Sequence, residues 1–347
     1  MWRERRDLIE MWRAGRAAAL ATLVAIDGSS YRRPGARLMI ATDGGFAGSI
    51  SGGCLETEIA RKARWLVRDG ATVERYSTAL DENDIPFGLG CGGTVHVLLE
   101  PAGTPEFESL MLALEGTLQG QAADVYTTLP SEGRAFSRIV LPQTGMPLQH
   151  PADPLAHHEH LASPPRLLIF GAGNDAQPLV NMAALLGWRV VVIDGRAQWA
   201  RPERFPAAER VVVASPTSLS FAIAPDDFAV VMTHSFDQDR DWLQALLPLH
   251  LPYLGLLGAR HRSARLAGDL ATLLQWPLDT VCASLRAPVG LDLGGDGAEA
   301  IALSVIAEIQ ACAANKSSLS RRMSADAALQ EIARPDRAAF IPSSCAI

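Results

Sequence analysis

Lysine is almost missing from this sequence. Of 31 basic residues only Lys62 and Lys316 are lysine, so arginine carries nearly all the positive charge. Arginine forks match phosphate well, but a biased genome composition produces the same skew, and no function is read from it. Cysteine is also scarce. Cys54, Cys91, Cys282, Cys312 and Cys345 are five thiols in 347 residues, and none sits in a CxxC pair. That excludes a disulfide framework and a structural zinc site of the usual spacing. It implies a reducing compartment, the cytoplasm. No apolar run approaches the roughly 18 residues of a membrane span. An excess of positive charge is missing too. Asp plus Glu number 38 against 31 Lys plus Arg, a formal net charge of −7, which argues against a dedicated nucleic-acid binder. Neither membrane nor nucleic acid is therefore an expected partner.

What is present is an ordinary globular composition, 48% hydrophobic and 20% charged, long enough for about two domains. The start needs care. Met1–Arg6 is basic and Ala17–Ile26 is apolar, which resembles a short signal peptide. Asp7 and Glu10 place acid in the charged region, and no small-residue cleavage site precedes Asp27. The segment reads as a helix followed by a buried strand.

Residues 1–144 alternate short strands and helices and read as a mixed α/β domain. Residues 55–68 have apolar positions on one helical face, and residues 106–118 read as a second helix. Residues 125–129 and 135–141 suggest a hairpin. Residues 145–165, rich in proline and histidine, read as the linker. His157, His158 and His160 surround Glu159, and a metal site or a solvated linker cluster fits that grouping. Residues 166–313 alternate strands and helices as a Rossmann-like domain with a parallel sheet. Residues 314–347 read as a flexible tail.

The strongest local signal is an apolar strand, Gly171-x-Gly173-x-x-Ala176, and a helix. The first glycine permits a tight turn, the second lets a phosphate approach the backbone, and the helix N-terminus favours an anion. Asn174 lies in this turn. Asp194 ends the next strand, where an acid hydrogen-bonds a ribose hydroxyl. Arg196 either contacts a further phosphate or is simply surface. His234 follows another strand and either relays protons or holds the loop. Asp296 and Glu299 have capping-box spacing for the last long helix. These features support a nucleotide site, and an NAD(P)-dependent oxidoreductase with His234 as proton donor is one reading.

The first domain has its own glycine turn, Gly48-Ser49-Ile50-Ser51-Gly52-Gly53-Cys54, running into a helix. It is an anion nest in principle. Cys54 falls at the helix start, where a thiol's pKa drops. Gly88-Leu89-Gly90-Cys91-Gly92-Gly93 places a second thiol in a tight turn. For both cysteines a ligand-holding thiolate and a small buried thiol remain open. Ser29, Ser30, Arg32, Arg33 and Gly35 form a polar loop suited to phosphate or partner contact.

Three stretches, Gly28–Ala36, Gly48–Glu56 and Leu89–Gly93, resemble the XdhC/CoxI family of accessory factors for xanthine dehydrogenase and related molybdenum hydroxylases. The second domain is similar to that family's Rossmann domain through Ile169–Gly173, Val192–Arg196, Thr233-His234, Tyr253–Gly258, Pro288–Gly294 and Glu299–Ser304. The resemblance runs from about residue 10 to 313. It differs at Asn174, where histidine is commoner, at Gly195, where an acid is commoner, and at Ala259–Arg262. It implies a chaperone for the molybdenum cofactor, a pterin carrying a phosphate or dinucleotide and a dithiolene-bound metal. It implies two protein partners, a cysteine desulfurase and an apo molybdenum hydroxylase of the xanthine dehydrogenase type. A homodimer would suit such a chaperone. The cofactor-binding residues implied are Arg32, Ser51, Gly52, Gly53, Cys54, Cys91 and Gly92, with Gly171, Gly173, Asn174, Asp194, Arg196 and His234.

Overall fold

The computed structural model describes residues 2–28, 30–77, 94–131, 133–142, 156–314, 316 and 324–333. The chain divides into two compact units, Met1–Pro164 and Pro165–Ile347.

The first unit begins with helix α1 (Trp2–Arg13) and strand β1 (Ala17–Asp27), so the signal-like segment is a helix and a buried strand. β1 is followed by β2 (Arg37–Ala41), β3 (Phe46–Gly48), α2 (Cys54–Leu66), β4 (Thr72–Ser77) and β5 (Thr94–Pro101). These strands form one antiparallel sheet in the order β3-β2-β1-β5-β4. Side chains alternate across a strand, and here both faces are covered. Ala19, Ala21 and Leu23 pack with Leu55 and Ile59 of α2. Leu20 and Met39 face the other way, onto Leu8 of α1 and Phe107 and Leu110 of α3 (Pro105–Leu118). A strand buried on both faces reads as a continuous apolar run, which is why β1 imitated a signal sequence.

The expected hairpin is β6 (Ala123–Thr128) and β7 (Ser137–Pro142), antiparallel. A third strand completes its sheet. His157–Leu161, placed by sequence in the linker, is β8 and pairs antiparallel with β6. The sequence His-His-Glu-His-Leu has almost no apolar residue to mark a strand. Its alternation splits the cluster: His158 and His160 both lie against Asp124 Oδ1, at 3.0 and 3.1 Å, while Glu159 goes to Arg37. Among the described residues no group of three or more His, Cys, Asp or Glu side chains could hold a metal ion.

The second unit runs β9 (Arg166–Phe170), α4 (Ala176–Leu185), β10 (Arg189–Asp194), β11 (Arg210–Val213), β12 (Phe228–Val231), α5 (Phe236–Leu246), β13 (Tyr253–Leu256), α6 (Arg260–Leu274), α7 (Leu278–Ser284) and α8 (Ala298–Ala313). All its strand pairs are parallel, in the order β11-β10-β9-β12-β13. Strand order therefore reverses between β9 and β12, the switch point where such sheets place their ligand crevice. Two expectations fail here. Helix α8 starts from Gly297 with no side-chain cap, so Asp296 and Glu299 do not form the capping box. Part of the supposed tail is helix α9 (Ala325–Ala333), whose Ala328 is fully buried in the core of this unit. Among the described residues no helix is long and apolar enough to cross a membrane.

Candidate functional site

The crevice of the second unit opens where the β9–α4 turn meets the end of β12. Gly171 has φ +128, and a Cβ there would lie 2.3 Å from the Met232 carbonyl oxygen. Only glycine permits that approach. Asp194 closes β10 beside this turn and is almost wholly buried. Its Oδ2 accepts from the Ala172 amide and from Arg196 Nη2, each at 2.8 Å. Its Oδ1 accepts from the Arg196 amide and Nε, each at 2.9 Å. A carboxylate offers about four acceptor positions, and all four are filled. Burial opposes ionisation of Asp194, but the Arg196 guanidinium and the two amides outweigh it and hold its carboxyl below the usual range. The acid read from the sequence as a ribose partner holds four donors of the chain itself. Asp194 pins the glycine turn to the sheet, and Arg196 neutralises it.

The rest of the expected crevice set does converge. Asn174 Oδ1 accepts from Arg204 Nη2 at 2.9 Å, and Arg204 Nη1 donates to the Ala172 carbonyl at 2.6 Å. The two guanidiniums flank one ring, with Arg204 4.6 Å and Arg196 5.6 Å from the Trp199 centroid. His234 adopts a left-handed backbone, φ +63, a setting that non-glycine residues keep mainly where the surroundings impose it. Its Nε2 lies 2.8 Å from Asp175 Oδ2. Asp175 is the N-cap residue of α4, but its side chain makes no cap hydrogen bond; its carboxylate is turned to His234 instead. The cavity beside it, between Asp175, Met232, Leu257 and Ile301, is about 10 Å³, room for no more than one water. Asp175, Trp199 and Arg204 were not anticipated from sequence. Asp175 was legible as the acid nearest the helix start, but Arg204 has no local signal because its partners lie about thirty residues away.

The first unit repeats the pattern in a different fold. In the turn before α2, Glu56 Oε1 accepts from the Ile50 amide at 3.1 Å, the Ser51 amide at 2.8 Å and Ser49 Oγ at 2.8 Å. Its Oε2 accepts from the Gly53 amide at 3.1 Å and from Ser51 Oγ. Glu56 is buried, and burial alone would raise its pKa. The donors of Ser51 and Ser49 reverse that and hold the group ionised. The anion nest expected at residues 48–54 is real, and its anion is the chain's own. Spacing carried this signal, since Glu56 stands three residues after the N-cap Gly53, a capping-box position. Gly52 and Gly53 are exposed, with open space where a Cβ would stand. Cys54 is the first residue of α2. Cys91 and Gly92 lie outside the described residues.

Arg32 takes no part in that turn. Its two terminal nitrogens grip Glu4 of α1, Nη1 to Oε1 at 2.8 Å and Nη2 to Oε2 at 2.6 Å. It lines a cavity of about 420 Å³ beside Arg5, Arg33, Arg37 and Glu159. Neither Arg5 nor Arg37 was singled out from the sequence, and Glu159 only as the centre of the histidine cluster.

Comparison with known proteins gives a consistent result. Residues 11–77 match the family model described as XdhC and CoxI family, and residues 167–309 match the XdhC Rossmann domain. The chain is 30% identical over 316 residues to a Bacillus subtilis protein named as a probable subunit of xanthine dehydrogenase, covering 84% of this chain and 92% of that one. It is 28% identical over 308 residues to the Escherichia coli molybdenum cofactor insertion chaperone PaoD, covering 88% of this chain and 86% of that one. A crystal structure from Bacillus halodurans, titled a xanthine dehydrogenase, superposes with a TM-score of 0.75 at 30% identity, over 91% of this chain and 97% of that one.

Proposed function

The chain belongs to the XdhC and CoxI family, and from that premise we propose that it is a molybdenum cofactor chaperone. It binds the cofactor as cargo and holds it while a partner cysteine desulfurase supplies the terminal sulfido ligand. It then inserts the cofactor into an apo molybdenum hydroxylase of the xanthine dehydrogenase type. The chain is a carrier and catalyses no step itself.

The observation that carries this reading is the extent of the likeness, which spans both units and includes an insertion chaperone. The local chemistry is compatible. Cys54 opens helix α2, and the dipole of a helix N-terminus favours the thiolate. A thiolate is a soft ligand suited to molybdenum or to sulfur in transit. Cys91 is proposed as the second thiol of the same kind. Turns bounded by exposed Gly52 and Gly53 leave the backbone approachable.

The oxidoreductase reading loses its support in the geometry. A dinucleotide needs a ribose acceptor, and the four acceptor positions of Asp194 are filled. A phosphate at the start of α4 would also meet the negative charge of Asp175, the residue that precedes the helix.

The test is retention. Purified chain is mixed anaerobically with cofactor released from a molybdenum hydroxylase and passed through gel filtration, with bound metal and pterin fluorescence read in the protein peak. The unaltered chain should retain cofactor, and Cys54→Ser and Cys91→Ser should retain less. An empty peak from the unaltered chain would reject the reading. Titration with NADH should give no binding; binding that Asp194→Ala abolishes would restore the oxidoreductase.

A further inference from the structure

The two glycine turns hold carboxylates of the chain itself, so neither is the place where positive charge is left over. That place is the cavity of about 420 Å³ in the first unit, bordered by α1, the β1–β2 connection and β8. Four arginines line it, Arg5, Arg32, Arg33 and Arg37, against two carboxylates, Glu4 and Glu159. The carboxylates are already committed. Glu4 takes both terminal nitrogens of Arg32, and Glu159 takes both of Arg37. Among the described residues neither Arg5 nor Arg33 is hydrogen-bonded to a carboxylate.

Each of the others supplies a further observation. Arg5 is buried, yet its hydrogen bonds go only to neutral acceptors, Thr117 Oγ1 at 2.5 Å and the Ala162 carbonyl at 3.0 Å. Burial, and then the charge of nearby Arg37, push it down to about 10 against the weaker opposing pull of Glu159, so it is still a cation at neutral pH. Arg37 is 7% exposed, and its Nε has no hydrogen-bond partner among the described residues. A buried donor left unmade is costly, and so is a buried cation with no carboxylate hydrogen-bonded to it. An anion in the cavity would relieve both. Arg33 is exposed at the rim, with no side-chain partner among the described residues. Tyr31, also lining the cavity, is 72% exposed, a flat aromatic face turned to solvent.

We propose that this cavity binds the phosphate of a phosphorylated heterocycle, with Arg5, Arg33 and Arg37 Nε as donors and Tyr31 as the surface against which the ring lies. The inference rests on the chaperone reading in one respect, that the cargo named there carries such a phosphate. The volume falls in the range of about 300–1,000 Å³ usual for small-ligand sites. Guanidinium donors form the charge-assisted bonds that a phosphate dianion rewards.

The full chain is titrated calorimetrically at low ionic strength, where such pairs are least screened, with three probes: flavin mononucleotide, riboflavin and inorganic phosphate. Flavin mononucleotide should bind at least about tenfold more tightly than inorganic phosphate, and riboflavin should not bind. Arg33→Glu, an exposed change that leaves the fold intact by its circular dichroism, should weaken flavin mononucleotide by about tenfold or more. Arg5→Met should abolish binding if that variant folds. No binding of flavin mononucleotide, equal binding of riboflavin or of free phosphate, or no effect of Arg33→Glu would overturn the proposal. The outcomes separate from those of the cofactor assay. Flavin mononucleotide binding without cofactor retention would sustain the cavity and reject the chaperone. Cofactor retained equally by Arg33→Glu would sustain the chaperone and reject the cavity as its phosphate site.

Discussion

The turn at residues 48–54 and the turn at residues 171–176 look alike as sequence, each a glycine-rich stretch running into a helix. The structure fills both from within, by different routes. In the first, Glu56 reaches back from the third residue of α2 and collects amides and hydroxyls around one carboxylate. In the second, Asp194 arrives from a neighbouring strand and holds two amides and a neutralising guanidinium, while Asp175 precedes the helix. The lesson is that a nest of backbone donors reports a need for negative charge and says nothing about where the charge comes from. A carboxylate supplied by the chain pre-organises the turn; a ligand must then bind at its edge or elsewhere.

The sharpest way to break this comparison is to remove the internal anion. Glu56→Ala leaves the buried Ile50 and Ser51 amides without their acceptor, and should cost about 3 kcal/mol or more in urea unfolding of the full chain. Loss of less than about 1 kcal/mol would show that water replaces the carboxylate easily. Next in size is glycine replacement, which separates the turns by packing. Gly171→Ala drives a Cβ to 2.3 Å from Met232 O at φ +128 and should cost about 3 kcal/mol. Gly53→Ala has open space at φ +116, so only backbone strain remains, about 1 kcal/mol. Equal losses would mean that the close approach at Gly171 relaxes freely.

A pH series tests the electrostatics of the first unit. Burial would raise Glu159, but Arg37 reverses this and holds its carboxyl below the usual range. A depressed folded pKa contributes stability above the unfolded value, about 4.3, and that stability is lost as pH falls through the folded value. The tryptophan-fluorescence unfolding midpoint should therefore drop below about pH 4. Glu159→Gln should lower the midpoint at pH 7 and flatten the acid limb. An acid limb of unchanged slope would remove Glu159 from the account. The smallest effect is expected at His234, whose left-handed backbone suits glycine. His234→Gly should raise stability by about 0.5 kcal/mol, since its exposed pairing with Asp175 contributes little. A clear loss instead would show that the imidazole–carboxylate pair organises the crevice.

Much of this was legible in the residues. The parallel sheet of the second unit follows from apolar runs separated by amphipathic stretches, and β1 from an apolar run too short to span a membrane. Gly171 and Asp194 were correctly placed, and Glu56 stood at a spacing that announces a cap. The misreadings share one cause. His157–Leu161 carries no apolar alternation, because its strand is held by Tyr126 stacking on His158 at 4.6 Å and by the Arg37–Glu159 ion pair. Ala325–Ala333 looked like part of a polar tail because, among the described side chains, only small residues, Ala327 and Ala328, pack it onto the core.

The amino-acid order by itself determined most of the helices and strands, the parallel sheet of the second unit and the glycine turns, since periodicity and turn chemistry act over a few neighbours; the antiparallel pairing of the first unit, β8 and α9 came only with the tertiary structure. Tertiary structure alone decided which charges meet. Arg5 finds Thr117 across 112 residues and Arg37 finds Glu159 across 122. Coulomb and hydrogen-bond partners are selected by distance in space, and separation along the chain carries no record of it.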